Sequence, residues 1–193
     1  MPAAARPSYS ATSLLDVAVQ VFNERGYDGT SMGDLAAALG ITKSSIYHHV
    51  AGKEALLGLA LDRALSALFA VLDEPGAAEG RARDRLEHVV RRSVAVLDRE
   101  LPFVTLLLRV RGNTPTEQAA LARRREFDRR VADLVAEAIA DGDLRDDLDP
   151  ALVTRLLFGT VNSLVEWYRP GRGASADEVA DALVEMTLGG LER

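Results

Sequence analysis

Apolar residues recur at helical spacing along almost the whole chain, and no run alternates strictly between apolar and polar positions. That period predicts an all-α fold. A first helix is expected from near Ser10 or Thr12 to Arg25, with Leu14, Leu15, Ala18, Val21 and Phe22 on one face and Gly26 placed for a left-handed cap. Two short helices follow. Asp28 to Ser31 supplies a turn and a cap for Met32 to Leu39, Gly40 stops that helix, and Thr42 caps another from Lys43 to about Val50. A glycine at the reversal lets the chain turn tightly without strain, as a helix-turn-helix requires. A long helix is then expected from Lys53 to about Asp73, broken by Pro75 and Gly76, with further helices at about 81–99, 101–111, 115–140, 150–168 and 176–191. The total is about nine.

No internal repeat or low-complexity tract divides the chain. The expected organisation is a compact three-helix unit over residues 1–52 and a larger helical body over 53–193, joined through the fourth helix.

Within so apolar a chain, residues 41–50, ITKSSIYHHV, are conspicuously polar. The second helix of a helix-turn-helix enters the DNA major groove with its N-terminal residues toward base edges. Thr42, Lys43, Ser44 and Ser45 occupy that end, where short hydroxyls and one flexible ammonium can approach bases under the positive end of the helix dipole. Tyr47 and His48 are placed for the DNA backbone, and Lys53 for a phosphate from the start of the next helix. Each residue has an ordinary alternative: Thr42 as a plain cap, Tyr47 as core, the serines as solvated surface. Those alternatives together leave unexplained why so short a helix has so little apolar surface.

Composition narrows the field. With 193 residues, 48% hydrophobic and 27% charged, the chain can bury a substantial core unaided. It has no cysteine, which excludes disulfides, thiolate metal sites and a cysteine nucleophile. His48 and His49 are adjacent and diverge on a helix, His88 is isolated, and neither a zinc-protease motif nor a phosphate-binding glycine loop occurs. The acidic run from Asp141 to Asp149 has its glycine misplaced for a calcium loop. No catalytic residue, metal or cofactor is therefore expected. A net charge of -6 argues against coating nucleic acid by bulk attraction, so any DNA contact is local. The only two lysines, Lys43 and Lys53, both fall in or beside the polar stretch. The N-terminus lacks the apolar core of a signal peptide, and runs such as Phe103 to Leu108 are far below membrane-spanning length, so a soluble cytoplasmic protein without membrane contact is expected.

Residues 10–60 resemble the N-terminal domain of TetR-family transcriptional repressors. The resemblance is carried by Ala18, Phe22, Gly26 and Tyr27, Thr30 and Ser31, Leu35 and Ala36, GITKSSIYHH at 40–49, and GKEALL at 52–57. Val50 departs from the phenylalanine common in the family at that place. The resemblance implies that the short helix reads palindromic double-stranded operator DNA, with Thr30 and Ser31 beside it, and that the remaining chain binds a ligand and dimerises. It implies a homodimer through a four-helix interface built from the last two helices. This suits residues 151–168, whose polar stripe of Arg155, Asn162 and Glu166 is narrow and whose apolar surface exceeds what one core can use. Leu152, Leu156, Leu157, Leu164, Val179, Leu183 and Met186 are the expected interface residues.

The ligand is the less defined part. Phe103, Leu107, Phe127, Phe158 and Trp167 are expected to enclose an apolar cavity, with Asn162, Arg109 and Arg169 as polar anchors. Residues 162–173, NSLVEWYRPGRG, resemble TetR regulators that answer to acyl-CoA thioesters in fatty-acid, steroid or phenylacetate breakdown. That resemblance implies a small-molecule inducer of the acyl-CoA class, with phosphates met by arginines among Arg109, Arg111, Arg123, Arg124 and Arg125. The competing expectation is a regulator of efflux or stress genes answering to a hydrophobic drug or a free acid.

Overall fold

The computed structural model describes residues 11–191; the Ser10 start lies outside the described residues, as does the side chain of Thr12. Among the described residues there are ten helices: α1 (Ala11–Arg25), α2 (Met32–Leu39), α3 (Lys43–Tyr47), α4 (Lys53–Leu72), α5 (Pro75–Ala78), α6 (Ala82–Arg99), α7 (Leu101–Arg109), α8 (Pro115–Ala140), α9 (Pro150–Trp167) and α10 (Ala176–Thr187). One single-residue bridge, between Arg169 and Arg172, is the only β-type pairing among the described residues. The helix absent from the expectation is α5. Pro75 and Gly76, read there as a break, also start a single turn, because proline's missing N–H and fixed φ suit a first helical position.

Local chemistry sets the helix ends. Ser31 and Asp34 form a reciprocal capping box at the start of α2, and Gly40 ends it at φ 65°, its N–H returning to the last turn. Thr42 caps α3 by accepting from the Ser45 N–H. The helix then stops at Tyr47, shorter than expected, and turns through His48 and His49. Thr114 with Glu117 and Ser175 with Glu178 repeat the capping box at α8 and α10.

The first three helices share a small core, with Leu14, Ala18, Phe22, Leu35, Leu39 and Ile46 buried. Helix α1 packs on α2, α4 and α7; α6 runs through the body against α4, α5, α8, α9 and α10. Helix α4 is the most apolar long helix among the described residues. An 18-residue window within it has a mean hydropathy of 1.9, long and apolar enough for a membrane span by length and composition, whereas the sequence reading pointed only to far shorter apolar runs. Leu56, Leu57, Ala60, Leu61, Ala64, Leu65 and Val71 are buried against α1, α6, α7 and α8, so the apolarity of α4 has a core function here. The acidic run is taken up structurally: Arg145 pairs with Asp147 through two bonds of 2.6 Å, Arg81 pairs with Asp143, and Asp149 caps α9.

Candidate DNA-reading surface and ligand cavity

Helix α3 is fixed from beneath by one side chain. Ile46 is fully buried, while Thr42, Lys43, Ser44, Tyr47, His48 and His49 are exposed, Tyr47 at 54%. A tyrosine so exposed on a helix bordering a core is unusual, and the packing reading of Tyr47 fails. Ser45 is half-buried, its hydroxyl 2.9 Å from that of Thr42 within the cap. Lys43 lies across Gly33, where an added Cβ would meet its Cε at 3.0 Å.

Two residues expected on this surface have other tasks. Thr30 is 2% exposed and donates its hydroxyl to the Gly26 carbonyl at 2.7 Å, closing the turn after α1. It cannot reach an outside partner. Lys53 donates to the Tyr27 carbonyl at 2.8 Å and sits 4.2 Å over the Tyr27 ring, so its ammonium fastens the start of α4 to the turn after α1. Ser31 is exposed, but its hydroxyl is engaged with Asp34. That bond comes first among the causes that hold the Asp34 carboxyl below its usual range.

The body contains a narrow apolar chamber of about 40 Å³, walled by α4, α6, α7, α8 and α9. Of the residues named from the sequence, Leu107, Phe127, Phe158 and Asn162 line it. Phe127 is central, edge-to-face with Phe158 at 5.3 Å and with Phe69 at 5.8 Å. Arg124, Asp128, Phe158 and Asn162 also line an outer cleft of about 640 Å³ between α8 and α9. Arg125, Arg129 and Arg155 join Arg124 around it, with Asp128 the one carboxylate of the lining and Arg129 paired to Glu126. Desolvation between the walls raises the Asp128 pKa, against the opposing pull of Arg124 and Arg155.

Four expected ligand residues lie elsewhere. Phe103 is buried beneath the Arg63 guanidinium, 4.0 Å away, outside the chamber. Arg109 donates to the Asn23 carbonyl at 3.0 Å, beside α1. Arg169 folds back onto the carbonyls of Tyr168 and Glu166. Trp167 is 57% exposed, because its neighbour Tyr168 takes the inward position. Tyr168 is 4% exposed and donates to Asp98 at 2.7 Å, a bond that pushes the phenol up to about 12. Sequence reasoning missed Ser93, Asp128 and Arg129. Arg155 had been noted only as part of a polar stripe, and the i to i+4 recurrence of Arg125 and Arg129 was the available signal.

A tetracyclin repressor-like C-terminal domain matches residues 79–191, and the model for bacterial regulatory proteins of the tetR family matches residues 14–60. The chain belongs to the TetR family. The transcriptional repressor KstR2 of Rhodococcus jostii is 32% identical over 183 residues, covering 93% of this chain and 90% of that protein. The crystal structure of a TetR regulator family member from Streptomyces coelicolor is 59% identical and superposes with a TM-score of 0.89 over 100% of this chain and 96% of its own. AibR, solved with isovaleryl coenzyme A and operator DNA, shares the fold at 24% identity and a TM-score of 0.79, over 92% of this chain and 97% of its own. A TetR-family protein is a regulator, which agrees with the expectation that this chain is not an enzyme.

The TetR body presents an outer face on its last two helices that the expectation drew only in part. Leu152, Leu156, Trp167 and Met186 are exposed at 46%, 63%, 57% and 76%. Gly159, Thr160 and Ser163 lie on the exposed side of α9, at spacings that place them with Leu152, Leu156 and Trp167 along one stripe of that helix. Leu157, Leu164, Val179 and Leu183 are instead 2–8% exposed and pack inward, so they correct the expected interface. A helix apolar on both sides offers two stripes, and sequence alone does not say which one meets its own core.

Proposed function

We propose that this chain is a homodimeric, DNA-binding repressor, cytoplasmic and free of membrane, that is released from a palindromic operator by an acyl-CoA thioester. The observation that carries the ligand class is a mostly apolar chamber that shares the wall residues Arg124, Asp128, Phe158 and Asn162 with a cleft ringed by four arginines. An acyl chain suits the chamber, and the phosphates of the CoA portion suit guanidiniums, which bind phosphate oxygens in pairs. KstR2, at 32% identity, is named a transcriptional repressor, and the AibR complex supports the view that this fold has room for an acyl-CoA.

Residues 1–52 serve in this reading as the DNA-binding unit and 53–193 as the ligand-binding and dimerising body. Lys43, Ser44, Tyr47 and His48 face the operator, with Thr42 and Ser45 holding the helix end toward it. The outer stripe of α9 and α10 joins two copies, since a two-fold protein matches a two-fold site. Release requires the ligand to prefer a conformation whose two reading helices are badly spaced for successive major grooves. The chamber is narrow enough that an acyl chain must part its walls, and two of those walls, α4 and α7, pack on α1.

Matched pairs of free acids and their CoA thioesters, titrated into the complex with operator DNA from beside the gene, test the reading. Release by the thioesters at lower concentration is expected. Release by the acids alone, or by neutral hydrophobic compounds alone, would reject the CoA class.

A further inference from the structure

One polar group in the chamber has no partner. Ser93, on the buried face of α6, is 1% exposed, lines the chamber beside Leu97, Leu107 and Phe127, and makes no hydrogen bond through its hydroxyl. A helical hydroxyl has an easy remedy, the carbonyl one turn back. Thr105 takes it with Leu101 at 2.7 Å, Thr154 with Pro150 at 2.9 Å, and Thr187 with Leu183 at 2.6 Å. Ser93 does not take it, so its hydroxyl is without a partner in a mostly apolar chamber. Leaving such a group buried and unpaired is unfavourable, and an alanine there would avoid the loss.

We infer that Ser93 sets ligand specificity by hydrogen-bonding an oxygen on the acyl part, so that the inducer is a hydroxy- or oxo-substituted acyl compound rather than a saturated one. The thioester half of that molecule rests on the acyl-CoA reading above; the substituted acyl half rests on Ser93 alone. A saturated chain filling the chamber would bring the hydroxyl no partner, whereas a carbonyl or hydroxyl brought to it restores the missing bond. A site built around a buried hydrogen-bonding group discriminates strongly against analogues that lack the matching atom. Leu65, Leu97, Val104 and Leu107 of the same chamber offer a ligand oxygen no bond, and its other polar groups, Arg124, Asp128 and Asn162, also line the outer cleft.

The test uses the full-length protein on fluorescent operator DNA, with octanoyl-CoA, its omega-hydroxy and beta-hydroxy derivatives, and the three matching free acids. One hydroxylated compound is expected to release the DNA at roughly a tenth of the concentration its saturated counterpart needs. In Ser93→Ala, and in the near-isosteric Ser93→Cys with its weak donor, that ratio is expected to fall to near one. Ser93→Ala is also expected to melt at or above the wild-type temperature, since it loses only an unpaired hydroxyl. Equal potency of saturated and hydroxylated probes on the wild type would overturn the inference, as would a preference that survives both substitutions or a large loss of stability in Ser93→Ala. A Ser93-dependent preference seen only among the free acids would uphold Ser93 and reject the CoA class. Release by none of the six probes would reject both.

Discussion

Asn23 on α1 donates its side-chain amide to the carbonyl of Pro102 on α7, 2.8 Å away. The Asn23 carbonyl accepts from Arg109 at the other end of α7, so one residue of the DNA-reading unit is bonded near both ends of that helix. Between those ends, Val104, Leu107 and Leu108 wall the chamber. Arg63 on α4 adds a parallel link, donating to Asp16 on α1 at 3.2 Å and to Glu100 at 2.7 Å. The sequence pointed to α4 as the connection; the structure gives α7 an equal share.

Asn23→Ala removes the side-chain bond to Pro102 and leaves the main-chain bond from Arg109, so it should loosen the coupling of the two halves. The ratio of operator affinities without and with ligand, ordinarily about 5- to 150-fold in coupled systems, is expected to drop several-fold while ligand affinity by calorimetry stays near wild type. An unchanged ratio would show that the Asn23–Pro102 bond does not carry the signal.

Lys43→Ala and Tyr47→Ala are expected to weaken operator binding without changing the melting temperature, because neither side chain supports the core. If Lys43 meets a phosphate, its loss should also reduce the slope of log affinity against log salt by about 1. Thr30→Val is the contrast: it breaks a buried hydrogen bond and should cost about 1 kcal/mol of stability by thermal unfolding.

Leu156→Arg and Met186→Arg place a charge on the outer stripe and should yield folded monomers in sedimentation. Leu157→Ala, one residue away, removes core and should cost roughly 2–5 kcal/mol. Dimers persisting in both arginine variants would move the interface to another face.

Glu74 accepts from Arg92 at 2.8 Å and pairs with His88 at 2.7 Å, joining the end of α4 to α6. The Arg92 bond holds its carboxyl below the ordinary value of 4.5, with burial opposing and His88 assisting. A lowered folded-state pKa means that this stabilisation is complete above the unfolded value and disappears as pH falls through the folded one. Glu74→Gln should be less stable than wild type at neutral pH, by about 1 kcal/mol for so partly exposed a pair. The difference should close as chemical denaturation is repeated at successively lower pH below about 4.5. A difference independent of pH would assign the effect to packing.

Local chemistry along the chain determined the helices and their ends. Capping residues, glycines and the three-to-four spacing act within a few residues, so Ser31, Gly40 and Thr42 were legible without any fold. The polar character of α3 was legible for the same reason, since Ile46 alone supplies its buried side. Residues whose part depends on distant neighbours were not. Whether Lys53 points to solvent or to the Tyr27 carbonyl is settled by how α4 meets the turn after α1, and whether Trp167 or Tyr168 turns inward is settled by Asp98 on α6. Leu156 and Leu157 are chemically identical, yet one is 63% and the other 2% exposed. Hydrophobic spacing records that a helix has apolar faces, while the packing of α6 and α8 against α9 decides which of them is core. Ser93 is the extreme case: a serine in an amphipathic helix is unremarkable until four other helices close around it and leave its hydroxyl without a partner.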